Sequence, residues 1–359
     1  MLNNKTIAVI VPCYNEESQI GFVIETMPSF VDRIIVINDC SKDETANVVL
    51  SYQNYTEHKS LPITDNNSVK TRTRFNDAEF VLQDFHNEDR LNLTPFEVIV
   101  KPNNRIVLIN HLKNGGKGAG IATGYWYSRF LGVDCVATMD GDGQMDPEEL
   151  ERICLPIVNG TAEYCKGNRL FHPSARLVIP RTRHFGNAVL SILTKFATGF
   201  WNLSDTQTGY SAINYQALNT LTLSDIYAGY GYPNDVLVKL SINRCRVEEV
   251  VIKPVYNIGE DSKMKIHKVI PRISWLLYKS FWLRITKKHF INDFHPLFLL
   301  YVLAHLCILI VSYYAFKLVR VETPNPATSL AFVSVGLLTF FSFVFAVWMD
   351  ISNDKSSSV

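Results

Sequence analysis

The sequence lacks an excess of either charge: 35 Lys plus Arg stand against 34 Asp plus Glu, a formal net charge of +1. Net charge therefore gives no argument for a nucleic-acid partner, and charge has to be read segment by segment. Paired C-x-x-C spacing is missing as well. The seven cysteines (Cys13, Cys40, Cys135, Cys154, Cys165, Cys245, Cys307) are scattered and odd in number, so neither a disulfide framework nor a zinc site is expected, and a reducing, cytosolic environment fits. The opening MLNNKTIAVIVP has no long apolar core with a cleavage site, and its short apolar run reads as a first strand rather than a signal peptide. What the chain does have is apolar content. Hydrophobic types make up 47% of 359 residues, enough for a large core in one big domain or two.

Thr6 to Val11 is a continuous apolar, β-branched run closed by Pro12, which suits a strand buried on both faces, as in a parallel sheet. PCYNEE then begins a loop and helix. Arg33 to Asn38 (RIIVIN) is a second such strand, ending in Asp39 and CSKDET. Each strand delivers polar residues at its carboxyl end, where open α/β sheets bind ligands, and a nucleotide is the natural candidate. From about 51 to 104 the pattern dissolves into a polar insertion, with a short hairpin expected around Glu79 to Gln83 and Phe96 to Val100. Asn54, Asn92, Asn159 and Asn202 begin N-x-S/T sequons, read as chance in a cytosolic domain.

After a third strand (RIVLINH), the glycines and Lys117 of NGGKGAG could cradle phosphate at a helix N-terminus. The G-x-x-x-x-G-K-[ST] spacing of a P-loop is absent, and a tight turn into a helix packed on the sheet explains the same residues. Cys135 to Met139 is the fourth strand. It ends in Asp140, Gly141 and Asp142, two carboxylates one residue apart at the tip of a buried strand. Such a pair suits a hard divalent cation, because Mg2+ and Mn2+ prefer oxygen ligands. Asp146 reads as a helix cap, with Pro147 in the first turn and Glu148 and Glu149 at the positive end of the dipole.

In the second half, EYCKGNRLF is expected to be a strand ending in Arg169, followed by a loop with Arg176, Arg181, Arg183 and His184. Phe185, Val189, Leu193, Phe196 and Phe200 then recur at helical spacing, with Ile192 and Trp201 widening the apolar face. That helix could lie in a membrane interface while the guanidiniums grip a phosphate, or be a plain core helix with solvated arginines. From Lys268 a further helix is expected. Lys268, Arg272 and Lys279 share one face, Ile270, Ile273, Leu277 and Phe281 another, and the basic cluster Arg284, Lys287 and Lys288 follows; this is the profile of a helix on an anionic bilayer. Phe294 to Phe316 and Ala327 to Met349 are uncharged, mostly apolar runs, each long enough to span a bilayer core of roughly 30 Å. The basic residues before Phe294 favour a cytoplasmic catalytic domain, a bias that Lys317 and Arg320 weaken.

VPCYNE, INDCSKDET, NGGKG and MDGDGQMDPEEL, in this order and on these elements, resemble family 2 glycosyltransferases of the GT-A fold, from about Thr6 to Tyr256. The resemblance implies an α/β, Rossmann-like, mostly parallel sheet with flanking helices. It implies that Pro12, Tyr14, Asn15, Glu16 and Asp39 hold the nucleotide sugar with Lys117, Asp140 and Gly141. Asp140 and Asp142 match the family's D-x-D pair, which contacts the diphosphate and its Mg2+ or Mn2+, and Gln144 matches an extra metal ligand of some members. Asn38 stands where an aspartate is common. LSDTQTGYSAIN resembles a signature of polyprenyl-phosphate sugar transferases such as dolichyl-phosphate mannose and glucose synthases. By that resemblance Asp205 and Gln207, with Asp142, belong to the reaction centre, and Arg169 with Arg181 or Arg183 holds the lipid phosphate. Asn234 and Asp235 stand where many non-lipid relatives carry catalytic acids, although a phosphate acceptor is already ionised and needs little base catalysis.

The expected organisation is a cytoplasmic GT-A domain over 1–265, a juxtamembrane amphipathic helix over 266–292, and a transmembrane hairpin with a tail over 293–359. The expected activity is inverting transfer of a sugar from a nucleotide sugar, UDP-linked in preference to GDP-linked, to a polyprenyl phosphate. Two alternatives stand beside it: a membrane glycosyltransferase that extends a glycan, disfavoured by the missing Q-x-x-R-W motif, and a nucleotide-binding membrane scaffold without catalysis. Oligomeric state is open, a homo-oligomer included.

Overall fold

Alternate residues of the first strand, β1 (Ile7–Cys13), feed two different cores, because successive side chains of a strand point to opposite faces. Ile7, Val9 and Val11 pack in one cluster, Ala8 and Ile10 in the other. A computed structural model describes residues 1–53, 72–100, 104–255, 266–320 and 325–357 of the chain. The first core lies against α1 (Ile20–Glu25) and gains Ile34 and Val36 from the next strand, β2 (Arg33–Asn38). α2 (Thr45–Tyr52) adds Val49 to that face.

Within the insertion the expected hairpin is corrected. Residues 79–83 belong to a helix, α3 (Asp77–Leu91), and only the second half is a strand, β3 (Phe96–Ile99). Asp77 and Glu79 sit in the first turn of α3 and Arg90 in the last, which complements the helix dipole. The helix is tied to the body through buried Asp89, which accepts from the backbone N–H groups of Leu223 and Ser224 at 2.8 Å each. The Asn54 sequon lies outside the described residues.

β4 (Ile106–His111), α4 (Lys117–Leu131) and β5 (Cys135–Thr138) follow, then a 3-10 turn at Pro147–Glu149 running into α5 (Leu150–Val158). β6 (Tyr164–Asn168), the one-turn α6 (Ala175–Val178), α7 (Arg181–Thr198), β7 (Ser211–Asn214), α8 (Tyr215–Asn219), α9 (Tyr232–Ile242) and β8 (Val247–Val251) complete the domain. The eight strands form one mixed sheet in the order β3-β4-β2-β1-β5-β7-β6-β8. β4, β2, β1 and β5 run parallel, and β7 is antiparallel to both β5 and β6. The carboxyl ends of β1, β2, β4, β5 and β6 and the start of β7 therefore all lie along one edge. That shared edge is where the chain's polar motifs meet.

α10 (Ile266–Thr286), a π-helical segment (Lys287–Asn292), α11 (Pro296–Arg320) and α12 (Pro326–Ser357) follow the sheet. α11 and α12 are long and apolar enough to cross a membrane, and only 22% and 11% of their most apolar windows are buried, unlike core helices of a soluble protein. Two expectations about lipid contact change here. Ile273, Leu277 and Phe281 of α10 are buried with Leu190 and Ala197 of α7, Val238 of α9 and Tyr301 of α11, so this apolar face meets protein rather than bilayer. α7 is likewise mainly a core helix, with Val189 and Ile192 left exposed. Arg284 does not face lipid headgroups either. It is buried, bonds the carbonyls of Phe196 and Ala197 at 3.0 Å, and pairs with Asp350 of α12 at 2.7 and 2.8 Å.

Candidate active site

The loops after β1 and β2 are stitched together before any ligand is considered. Asn15, in left-handed backbone geometry, donates its N–H to Ser41 Oγ at 3.0 Å, and its side-chain oxygen accepts from the Lys42 N–H at 2.8 Å. The N–H of Glu16 donates to Thr45 Oγ1 at 2.9 Å. Tyr14 is left exposed and Pro12 half-buried, so these two border the crevice, while Asn15 shapes it.

Asp39 is buried, and its carboxylate is committed within the protein. It meets His111 Nδ1 at 2.7 Å and accepts the N–H groups of Gly115 and Gly116 at 2.8 Å each. Burial alone would raise its pKa, but His111 and the two amides outweigh it and hold the carboxyl below its ordinary range. Through these bonds Asp39 fixes the NGGKG turn that carries Lys117. His111, which also contacts Thr123 Oγ1 at 2.9 Å, is a site residue that sequence reading missed. Its position as the last residue of β4 was the available signal.

Lys117 is the first residue of α4, and its ammonium lies 2.6 Å from Asp140 Oδ2. Burial would lower its pKa, yet Asp140 and then Asp142 overcome that and raise it, so the lysine stays charged. Asp142 accepts the Gln144 N–H at 3.0 Å, which folds the D-G-D-G-Q turn back on itself. Between the carboxylates only glycine fits: a Cβ on Gly141 would run into Cys13 Sγ and stand 3.3 Å from the Pro12 carbonyl oxygen. Asp146 is the expected cap, accepting the Glu148 N–H at 3.0 Å. Among the described residues no group of three His, Cys, Asp or Glu side chains assembles as a metal site. Two carboxylates with an adjacent amide suit a cation that takes its other ligands from phosphate oxygens and water, as Mg2+ commonly does.

At the end of β6, Arg169 is clamped rather than free. Asp205, with no exposed surface, accepts from Arg169 Nε at 2.8 Å, from Nη2 at 3.1 Å and from its backbone N–H at 3.1 Å. Lys166 lies buried behind the pair, bonded to the Thr208 carbonyl, with burial pulling its pKa down to about 8 against the opposing pull of Asp205 and Glu249. Glu249 accepts the N–H groups of Ser204 and Asp205 at 2.7 and 2.9 Å and Asn168 Nδ2 at 2.7 Å. Asp205 is thus buried and sets the orientation of Arg169. Lys166 and Glu249 were not singled out from sequence.

Gln207 shares an amide contact with buried Asn234 at 3.3 Å, and Asn234 also accepts from Thr194 Oγ1 at 3.1 Å. Asp235 accepts the Tyr227 N–H at 2.9 Å and pairs with Lys239, so it organises the loop before α9. A Cβ at Gly209 would meet the Tyr232 hydroxyl at 2.5 Å and Asp140 Oδ1 at 3.7 Å, which brings the D-x-x-x-G loop against the D-x-D pair. That Tyr232 hydroxyl is buried without a hydrogen-bond partner among the described residues, a second feature sequence reading missed. Arg181 and Arg183 fall in the first turn of α7 instead of a loop, and their side chains lie outside the described residues.

A mixed sheet that presents a D-G-D turn on a central strand, between the stitched loops after β1 and β2 and a clamped arginine, fits a glycosyltransferase of the GT-A type. The chain belongs to glycosyl transferase family 2, whose model matches residues 8–75 and 93–222. A UDP-N-acetylglucosamine–dolichyl-phosphate N-acetylglucosaminyltransferase from Methanococcus voltae is 28% identical over 254 residues, 70% of this chain and 87% of that protein. An undecaprenyl-phosphate mannosyltransferase from Micrococcus luteus is 30% identical over 159 residues, 44% of this chain and 64% of that protein. Among solved structures, glucosyl-3-phosphoglycerate synthase from Mycobacterium tuberculosis, in complex with Mn2+, UDP and glucosyl-3-phosphoglycerate, superposes with a TM-score of 0.48 at 15% identity, over 78% of this chain and 80% of that one.

Proposed function

We propose that the protein transfers a sugar from a nucleotide sugar, UDP-linked by preference, to the phosphate of a polyprenyl phosphate in the membrane that holds α11 and α12. One observation carries this reading: the D-x-D turn and the Arg169–Asp205 unit lie on the same sheet edge, where the first would take a diphosphate and the second a phosphate. The family and the activities named for its relatives support it.

In this reading Pro12 and Tyr14 border the nucleoside, and Lys117 faces the diphosphate. Asp140, Asp142 and Gln144 would hold a Mg2+ or Mn2+ ion, which as a Lewis acid supplies positive charge to the departing diphosphate. Arg169, oriented by Asp205, places the acceptor phosphate, with Arg181 or Arg183 from the start of α7 as a second contact. A phosphate oxygen of the lipid attacks the anomeric carbon from the face opposite the nucleotide. The new carbon–oxygen bond forms as the bond to the β-phosphate breaks, so the anomeric configuration inverts. The acceptor is already ionised, so no side chain has to remove a proton. Gln207 borders the reacting sugar. Exposed Lys287, ahead of α11, favours a cytoplasmic catalytic domain, the side on which nucleotide sugars are met.

The test is purified full-length protein with undecaprenyl or dolichyl phosphate, Mg2+ or Mn2+, and a panel of labelled nucleotide sugars. Label should enter the organic phase with one donor, and Asp142→Asn should abolish it. Transfer to no lipid phosphate would refute the acceptor. Retained transfer by Asp142→Asn at saturating metal would refute the role given to the D-x-D pair.

A further inference from the structure

A cleft of about 490 Å³, whose lining includes none of Asp140, Asp142 and Arg169, lies between the loop ahead of α9, α9 itself and α10. Its charge is unevenly used. Lys239 pairs with Asp235 and donates to the Asp225 carbonyl oxygen at 3.0 Å, so its ammonium is satisfied. Lys279 and Lys287 also line the cleft, are exposed, and have no carboxylate partner among the described residues. Set against the single remaining carboxylate of Asp225, they leave the cleft positive.

Phe281 stands edge-on to Tyr301 at 4.9 Å between centroids, and Trp282 to His305 at 4.5 Å, which ties the last turns of α10 to the first turns of the membrane helix α11. Lys287 follows one turn later. On the outside of α10, Trp275 and Tyr278 are 59% and 47% exposed, with the Lys279 ammonium 5.5 Å from the Trp275 ring centre. Exposed amphipathic rings and lysines on a helix packed against α11 suit the headgroup region of a bilayer. Leu276 and Leu283 on the same wall offer apolar surface to the start of an acyl chain.

We propose that this cleft binds the headgroup of an anionic phospholipid of the surrounding bilayer, its phosphate on Lys279 and Lys287. The site is separate from the acceptor site, and the inference does not depend on the proposed transfer reaction. A headgroup held here would fix α10, and through it α7, against the membrane surface.

Native mass spectrometry of the full-length protein, released from detergent micelles doped with phosphatidylglycerol or phosphatidylcholine, tests this. One phosphatidylglycerol should be retained where phosphatidylcholine is not. The double variant Lys279→Ala/Lys287→Ala should weaken retention about tenfold or more, as expected for losing two interfacial lysine charges, and Lys279→Arg/Lys287→Arg should keep it, which separates charge from a folding defect. Equal retention of both lipids, or full retention by the alanine variant, would overturn the proposal. So would displacement of the retained lipid by equimolar polyprenyl phosphate, because the cleft would then be an acceptor site.

Discussion

Replacing Asp205 by asparagine keeps the side chain's shape and removes the charge that orients Arg169. Two unit charges about 4 Å apart attract by about 4 kcal/mol at an effective dielectric of about 20. The Arg169 side chain is 24% exposed and Asp205 fully buried, so solvent trims this only in part. Breaking a buried pair from one side typically costs about 3–5 kcal/mol, so about 3 kcal/mol is expected here. For a domain of this size that lowers the thermal midpoint by roughly 6–12 °C. Burial pushes the Asp205 pKa up, but Arg169 and Lys166 outweigh it and hold the carboxyl below its ordinary range. A depressed folded value means that the stabilisation is complete above the ordinary carboxyl pKa and is lost as pH falls through the folded one. The gap between wild type and Asp205→Asn should therefore be constant from about pH 5 to neutrality and close under stronger acid. Differential scanning fluorimetry of the detergent-solubilised chain measures the midpoint, and transfer assays should show a raised KM for the lipid phosphate with nucleotide binding unchanged. An unchanged midpoint together with an unchanged acceptor KM would refute the reasoning.

Gly141→Ala should lower stability by about 1–3 kcal/mol through overpacking against Cys13, and Cys13→Ala in the same chain should restore most of it; urea titration with and without the second change decides. Tyr232→Phe should leave the midpoint unchanged or raise it, because a buried hydroxyl without a partner costs about 1–3 kcal/mol; a clear fall would mean that the hydroxyl is bonded in solution. Asp350→Asn leaves buried Arg284 unpaired and should destabilise by about 3–5 kcal/mol, read as earlier release of α12 to limited proteolysis; protection equal to wild type would count against a stabilising role for that pair.

The strands ending at Asp39 and Asp140, the Asp146 cap and the two apolar spans were legible in the sequence because each is a local pattern: a β-branched run with a polar stop, a capping residue before proline, a long stretch without charge. The strand expected at 79–83 was not, because a polar segment without alternation gives strand and helix equal footing, and the contact that decides it joins Asp89 to Leu223 and Ser224 across more than a hundred residues. The bilayer face expected of α10 failed for a related reason. An apolar stripe reports that something covers it, not whether lipid or α7 does so.

By itself the sequence determined the chemistry available at the sheet edge: two carboxylates one residue apart, a lysine in a glycine-rich turn, an arginine at a strand end. Tertiary structure alone decided which partners each of these groups meets. Asp39 bonds Gly115, Gly116 and His111, Asp205 bonds Arg169, Asp140 pairs with Lys117, and Asp142 accepts the Gln144 N–H. Spacing along a chain fixes which groups are local neighbours, but whether a carboxylate faces substrate or structure depends on partners that only folding brings within about 3 Å, the reach of a hydrogen bond.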